Sequence, residues 1–205
     1  MTLDANTVLR NIETCYAKAS PEELTLGRHW YAVARTQCQQ LARKHGVPVN
    51  VVCAIVACLS PNAPWSRNTT DADNLLTCYA KRQPISWVSA VTYRKNVAKA
   101  WRIRATGDVS ILRGPKVTAF YHCLVSSHSN YVCVDSHIYS VASGVEYTAQ
   151  TTPHITGRNH VVIVNAFRRV AKLRHTMPYR VQATCWVVRR RVLTGTHNQL
   201  GLPYR

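Results

Sequence analysis

Apolar residues recur along most of this chain at the three- and four-residue intervals of a helix, rather than in the alternation of a half-buried strand. Leu24, Trp30, Ala34, Cys38 and Leu41 mark one such face, and Gly46 followed by Pro48 gives the stop and restart expected between two helices. The apolar run from Val47 to Leu59 contains Pro48 and Asn50 and is well short of the roughly 20 residues needed to cross a bilayer, so it reads as a buried core helix. Thr70, Asp71 and Asp73 predict the opening of the next helix, because hydroxyl and carboxylate side chains satisfy first-turn amides. Helical spacing resumes from Tyr93 to Arg104 and stops at Gly107-Asp108. Pro115 predicts a helix to about Val125, and Ser136 caps one that ends near Gly144. Two more are expected over Asn159 to Leu173 and Met177 to Thr194, the second with Pro178 early and Gly195 just beyond its end. The one strand-like run, Tyr131 to Val134, is short. The pattern predicts an all-α fold of about eight or nine helices over residues 1–205, in one compact body without repeats or linkers.

Charge narrows what such a body binds. The 26 Lys and Arg against 9 Asp and Glu leave a net +17, far beyond what solubility requires, which points to a polyanionic partner. The basic residues are spread from Arg10 to Arg205 rather than gathered on one amphipathic helix, so nucleic acid is favoured over a membrane surface. The start of the chain has no basic region followed by an apolar stretch; no secretory signal is visible, and a DNA-associated place in the cytosol of a bacterial or phage-infected cell is expected. Eight cysteines without a C-x-x-C pair predict buried reduced thiols, and their spacing fits neither a zinc site nor an iron–sulfur cluster. No metal or other cofactor is expected.

Two short segments carry candidate chemistry. In the first, Ile111 to Phe120, Gly114 lies two residues before Lys116 at the start of an apolar helix. Free amides there suit a DNA phosphate, and the positive end of the helix disfavours a charged ammonium, leaving an amine that is a nucleophile. An ordinary solvated lysine beside a turn accounts for the same segment. In the second, Tyr131 to Tyr139, Asp135 follows an apolar run and precedes the next helix. It reads either as a partly desolvated catalytic carboxylate or as a plain N-cap.

Taken together, the segments resemble the helix-hairpin-helix DNA glycosylases, among them endonuclease III and the 8-oxoguanine glycosylases. That family carries Leu-Pro-Gly-Val-Gly-x-Lys and then Val-Asp-x-His; here Gly114-Pro115-Lys116 and Val134-Asp135-Ser136-His137 match the ends of both motifs, 19 residues apart from Lys116 to Asp135. Upstream, Ala57 to Trp65 resembles the family's leucine-serine-x-glutamine turn, and Tyr93 to Lys99 its tyrosine-x-x-lysine-alanine helix; together the four span about residues 48–144. The resemblance implies a two-lobed helical fold in which the N- and C-terminal helices form the second lobe and the active site lies between lobes. It implies that Lys116 attacks C1′ of a flipped nucleotide, that Asp135 stabilises the cationic sugar and helps deprotonate the lysine, and that the enzyme is also an AP lyase, which nicks by β-elimination.

Further positions follow with their plainer alternatives. Asn62 occupies the place where the family inserts an amide into the space left by the flipped base, and Trp65 is a candidate stacking wedge; Asn62 and Pro64 also simply suit a turn. Arg67, Asn68, Lys95, Lys99, Arg113 and Gly114 are candidate DNA contacts. His137, Tyr139, Gln182 and Trp186 are candidate base-pocket residues, with Gln182 and Trp186 four apart on one helical face, although a core tryptophan beside a surface glutamine fits the spacing equally. Leu112 and Ile111 replace the hairpin's usual first glycine and proline, and no iron–sulfur cysteines follow Asp135. The expected partner is double-stranded DNA with a damaged or modified base, bound by a monomer without membrane association. A base-modifying enzyme acting on hypermodified phage-type DNA and a non-catalytic DNA-binding protein remain as alternatives.

Overall fold

The computed structural model describes residues 2–194, with side chains as far as residue 193; Gly195 lies outside the described residues. Among the described residues there are nine α-helices and no strand: α1 (Ala5–Ala17), α2 (Pro21–His45), α3 (Val49–Leu59), α4 (Trp65–Ala80), α5 (Arg94–Thr106), α6 (Pro115–Val125), α7 (Ser136–Ser143), α8 (Gly157–Leu173) and α9 (Pro178–Thr194), with short 3-10 turns at Ile85–Trp87 and Val109–Ile111. The fold is all-α, in agreement with the periodicity. The run Tyr131 to Val134 is a connection without regular secondary structure instead of a strand: Val132 and Val134 are buried in a helical core, and no ladder partner lies beside them among the described residues.

Local chemistry sets most helix ends. Asp4 caps α1 by accepting the Thr7 amide at 2.8 Å. Ser20 and Glu23 form a reciprocal box at the start of α2, with the Ser20 amide donating to Glu23 Oε2 at 2.9 Å and the Glu23 amide donating to the Ser20 hydroxyl at 3.3 Å. Helices α5 and α7 stop at Gly107 and Gly144, whose φ values of 70° and 72° suit glycine. Helix α4 starts at Trp65, one turn and more before the predicted opening at Thr70, Asp71 and Asp73. Those side chains have other uses: the Thr70 hydroxyl donates to the Ser66 carbonyl at 3.0 Å, Asp71 pairs with Arg67 at 2.8 Å and also accepts the Val91 amide, and Asp73 pairs with the end of α2.

The chain divides into two compact units, one running from its start to Tyr31 and again from Ser126 through α9, the other Ala32–Val125, so that the division falls inside α2. In the first unit, α1, α7, α8 and α9 pack on one another around Val8, Ile12, Val134, Ile138, Ile163, Phe167, Val181 and Cys185. The first turns of α2 approach α9 so closely that a Cβ on Gly27 would lie 2.5 Å from Thr184 Cα. Glu23, with no exposure, pairs with Arg191 at 2.7 Å, which compensates the burial of its charge.

In the second unit α3 is the central element: every residue from Val51 to Leu59 is buried, because α4, α5 and α6 all pack on it. This is why its sequence is apolar on all sides. Asp73 joins α4 to the end of α2 through Lys44 at 2.7 Å and His45 at 2.6 Å. All eight cysteines are free thiols and seven are buried; burial pushes Cys58 up to about 11, which keeps it protonated and unreactive at neutral pH. No single helix among the described residues is long and apolar enough to cross a membrane.

Candidate active site

Two helix starts hold the candidate chemistry, one in each unit. In the second unit, Asp108 caps the Val109–Ile111 turn by accepting the Ser110 amide at 2.9 Å, and Leu112 is buried beneath it. The chain then reverses at Gly114, whose φ is 93°. No atom lies within 4 Å of where a Cβ would stand, so the backbone angle and not crowding calls for glycine there. Pro115 opens α6 with its preset φ, and the Thr118 amide donates to the Gly114 carbonyl at 3.1 Å. Lys116 is thereby the second residue of the helix, half-buried, in the turn where the helix dipole opposes positive charge.

In the first unit, Asp135 is the N-cap of α7. Its Oδ1 accepts the Ile138 amide at 2.9 Å, and its carbonyl accepts the Tyr139 amide at 2.8 Å. The cap occupies one carboxylate oxygen; Oδ2 has no partner among the described residues, and the side chain is half-buried. Asp135, and not Ser136, performs the capping, so the structural role that the sequence allowed for it is real.

The candidate pocket residues separate into two groups. His137 meets Trp186 edge-on at 6.3 Å, Trp186 meets Trp30 at 6.1 Å, and the row continues through Tyr31 at 4.8 Å to Tyr179 at a further 5.5 Å. Gln182 is buried beside this row and accepts the Tyr31 hydroxyl at 2.9 Å, so it is no surface glutamine. The Arg190 guanidinium sits 5.6 Å from the Trp186 ring centre. Tyr139 departs from the expectation: it is 3% exposed, packed 5.6 Å from Tyr147 in the helical core, and burial pushes its hydroxyl pKa up. Trp30 marks an apolar face of α2 in the sequence, but its convergence with Tyr31, Tyr179 and Trp186 depends on long-range packing that periodicity does not carry.

Two expected DNA contacts are corrected. Trp65 is 7% exposed, donates its indole N–H to Gln37 Oε1 at 2.7 Å and packs edge-on to Phe120 at 6.3 Å, so it is a core side chain and no stacking wedge. Asn68 is 1% exposed on the inner face of α4, with its Oδ1 unpaired among the described residues. Asn62 is exposed at φ 64° in the turn before α4, a conformation asparagine tolerates better than most residues. Arg67 remains partly exposed but is tied to Asp71. Lys95 is exposed and lies 5.5 Å over the Tyr93 ring, and Lys99 is half-buried. Arg113 is exposed and folds back onto the Ser110 and Leu112 carbonyls, which reinforces the turn before Gly114.

The second unit carries thirteen Lys and Arg against three carboxylates, and all three are engaged locally: Asp71 with Arg67, Asp73 with Lys44 and His45, and Asp108 as a cap. Its surface charge is therefore almost wholly positive. Among the described residues no three His, Cys, Asp or Glu side chains converge as a metal site.

Compared with known families, residues 2–193 match one described as a family of unknown function (DUF7178). No curated protein and no solved structure matches the chain.

Proposed function

The chain belongs to the DUF7178 family, and from the residues it carries we propose that it is a DNA N-glycosylase with associated lyase activity. The reading rests on one observation: a lysine is second in a helix entered through a positive-φ glycine, and 19 residues later a carboxylate caps another helix with one oxygen left over. The glycine turn supports a backbone that approaches DNA closely. Lys116 Nζ attacks C1′ of the deoxyribose, the glycosidic bond breaks with its electron pair leaving on the base, and a Schiff base forms. Asp135 accepts the proton lost by the amine and stabilises the positive charge on the sugar. Double-stranded DNA with a damaged or modified base is the proposed partner, held through the basic surface of the second unit.

Borohydride trapping on duplexes carrying uracil, oxidised bases or an abasic site tests the reading. A covalent adduct that disappears in Lys116→Gln is expected; no adduct with any of them would remove the amine mechanism. The cap made by Asp135 favours one second reading, a DNA-binding protein without catalysis, in which the carboxylate serves only α7.

A further inference from the structure

The connection between α4 and α5 is a fixed frame that displays apolar rings to solvent. Asp71, fully buried on α4, accepts the Val91 amide at 2.8 Å. The Arg94 guanidinium donates to the Val88 carbonyl at 2.9 Å and the Ile85 carbonyl at 3.2 Å. Asn96 donates its side-chain amide to the Thr92 hydroxyl at 2.9 Å, and Val88 is buried. On this frame Trp87 is 64% exposed, Val91 50% and Tyr93 56%. The other four tryptophans are buried or half-buried. A ring held in water by a well-bonded backbone forgoes the burial that positions its counterparts.

The surroundings say what covers it. Lys81 and Arg82 begin the same connection, Arg94 and Lys95 open α5 directly after it, and the sequence contains no Asp or Glu between Asp73 and Asp108. Lys95 Nζ is 5.5 Å from the Tyr93 ring centre, so cation and ring are presented together. Ring faces interleaved with cations bind unpaired nucleotides: bases stack on the rings and phosphates pair with the cations. An intact duplex keeps its base faces covered by stacking, and an anionic membrane offers phosphates without bases.

We propose that the segment 81–95 is a stacking platform for unpaired nucleotides, in which Trp87 and Tyr93 take base faces while Lys81, Arg82 and Lys95 take the adjoining phosphates. This deepens the DNA reading, on which it rests for the class of ligand, and it makes DNA with a locally open or single-stranded region the preferred substrate form.

The test is fluorescence anisotropy of a labelled oligothymidylate, a blunt duplex and phosphatidylglycerol vesicles with the full chain, Trp87→Ala, Tyr93→Ala and Trp87→Phe. Each alanine substitution is expected to weaken oligothymidylate binding roughly 5- to 100-fold, Trp87→Phe to restore most of it, and duplex affinity to change far less. Unchanged oligothymidylate affinity in Trp87→Ala overturns the proposal, as does an equal loss for duplex and single strand in both the alanine and phenylalanine variants. A loss confined to vesicles assigns the patch to membrane and also overturns it. Borohydride trapping on an abasic duplex, run in parallel, keeps the two readings apart. Ring-dependent oligothymidylate binding without any Lys116 adduct leaves the platform standing and removes only the catalytic reading.

Discussion

Asp135 Oδ1 accepts the Ile138 amide at 2.9 Å, so the carboxylate proposed to act on the sugar is also the residue that starts α7. The two roles separate by substitution, because asparagine caps as well as aspartate while carrying no charge. Asp135→Asn is expected to melt with the parent protein yet give no borohydride adduct. Asp135→Ala is expected to lose the adduct and about 1 kcal/mol of stability as well, seen as a fall of about 2–4 °C in melting temperature. Trapping retained by Asp135→Asn would leave the residue with its structural role alone.

Gly114 has open space where a Cβ would stand, but its φ of 93° is unfavourable to any L side chain. Gly114→Ala is therefore expected to destabilise by about 1–2 kcal/mol through the backbone alone, and to impair trapping further by displacing the start of α6. Thermal melts and trapping rates measured on the same preparation check both. An alanine variant of unchanged stability would mean that the turn relaxes to another conformation.

Sequence and structure agree where the determining chemistry is local. Pro115 and Pro178 open their helices, Gly107 and Gly144 close theirs, and the unbroken apolar character of Val51 to Leu59 follows from burial on every side. They part where a side chain's partner is remote. Asp71 has the composition of a helix opener, but its carboxylate is used by Arg67 and by the Val91 amide, which lies 20 residues away. Trp65 sits beside exposed turn residues and is covered by Gln37, 28 residues earlier, and by Phe120. Periodicity identifies an apolar face without saying what lies on it, so neither the burial of Tyr139 nor the exposure of Trp87 was legible. Ser20 and Glu23 did carry a readable signal, the capping-box spacing.

Gly27 illustrates the same remoteness as a packing constraint. A Cβ there would lie 2.5 Å from Thr184 Cα and 2.7 Å from its backbone nitrogen. A backbone cannot rotate aside as a side chain does, so Gly27→Ala is expected to cost at least the upper part of the about 1–3 kcal/mol typical of overpacking. Chemical denaturation measures it, and a neutral substitution would contradict the close approach of α2 and α9.

The burial of Trp65 separates stability from the proposed DNA binding. Trp65→Ala is expected to lose about 3–5 kcal/mol, whereas Trp65→Phe removes chiefly the hydrogen bond to Gln37, worth about 1 kcal/mol. Neither deletes a surface contact, so Trp65→Phe should bind duplex DNA with parent affinity. Weakened binding by a stably folded Trp65→Phe would restore the ring as a DNA contact.

Glu146 and Arg189 provide a pH-dependent test of the first unit. The Arg189 guanidinium donates to Glu146 Oε1 at 2.6 Å and holds its carboxyl below the ordinary value of 4.5. Because the folded-state value lies below the unfolded one, the pair contributes its full stability above about pH 4.5 and loses it as the pH falls through the lower folded-state value. The Glu146 side chain is 72% exposed, so solvent screening limits the contribution to no more than about 1 kcal/mol. Arg189 is buried and also donates to the Tyr147 carbonyl at 3.3 Å, so loss of the carboxylate leaves it one remaining acceptor of the pair. Glu146→Gln is expected to be slightly less stable than the parent at neutral pH and to converge with it toward acid, where the parent's own carboxylate is protonated. Urea denaturation across pH 7 to 3 follows the gap; a gap that stays constant would show that the charge on Glu146 does not support α9.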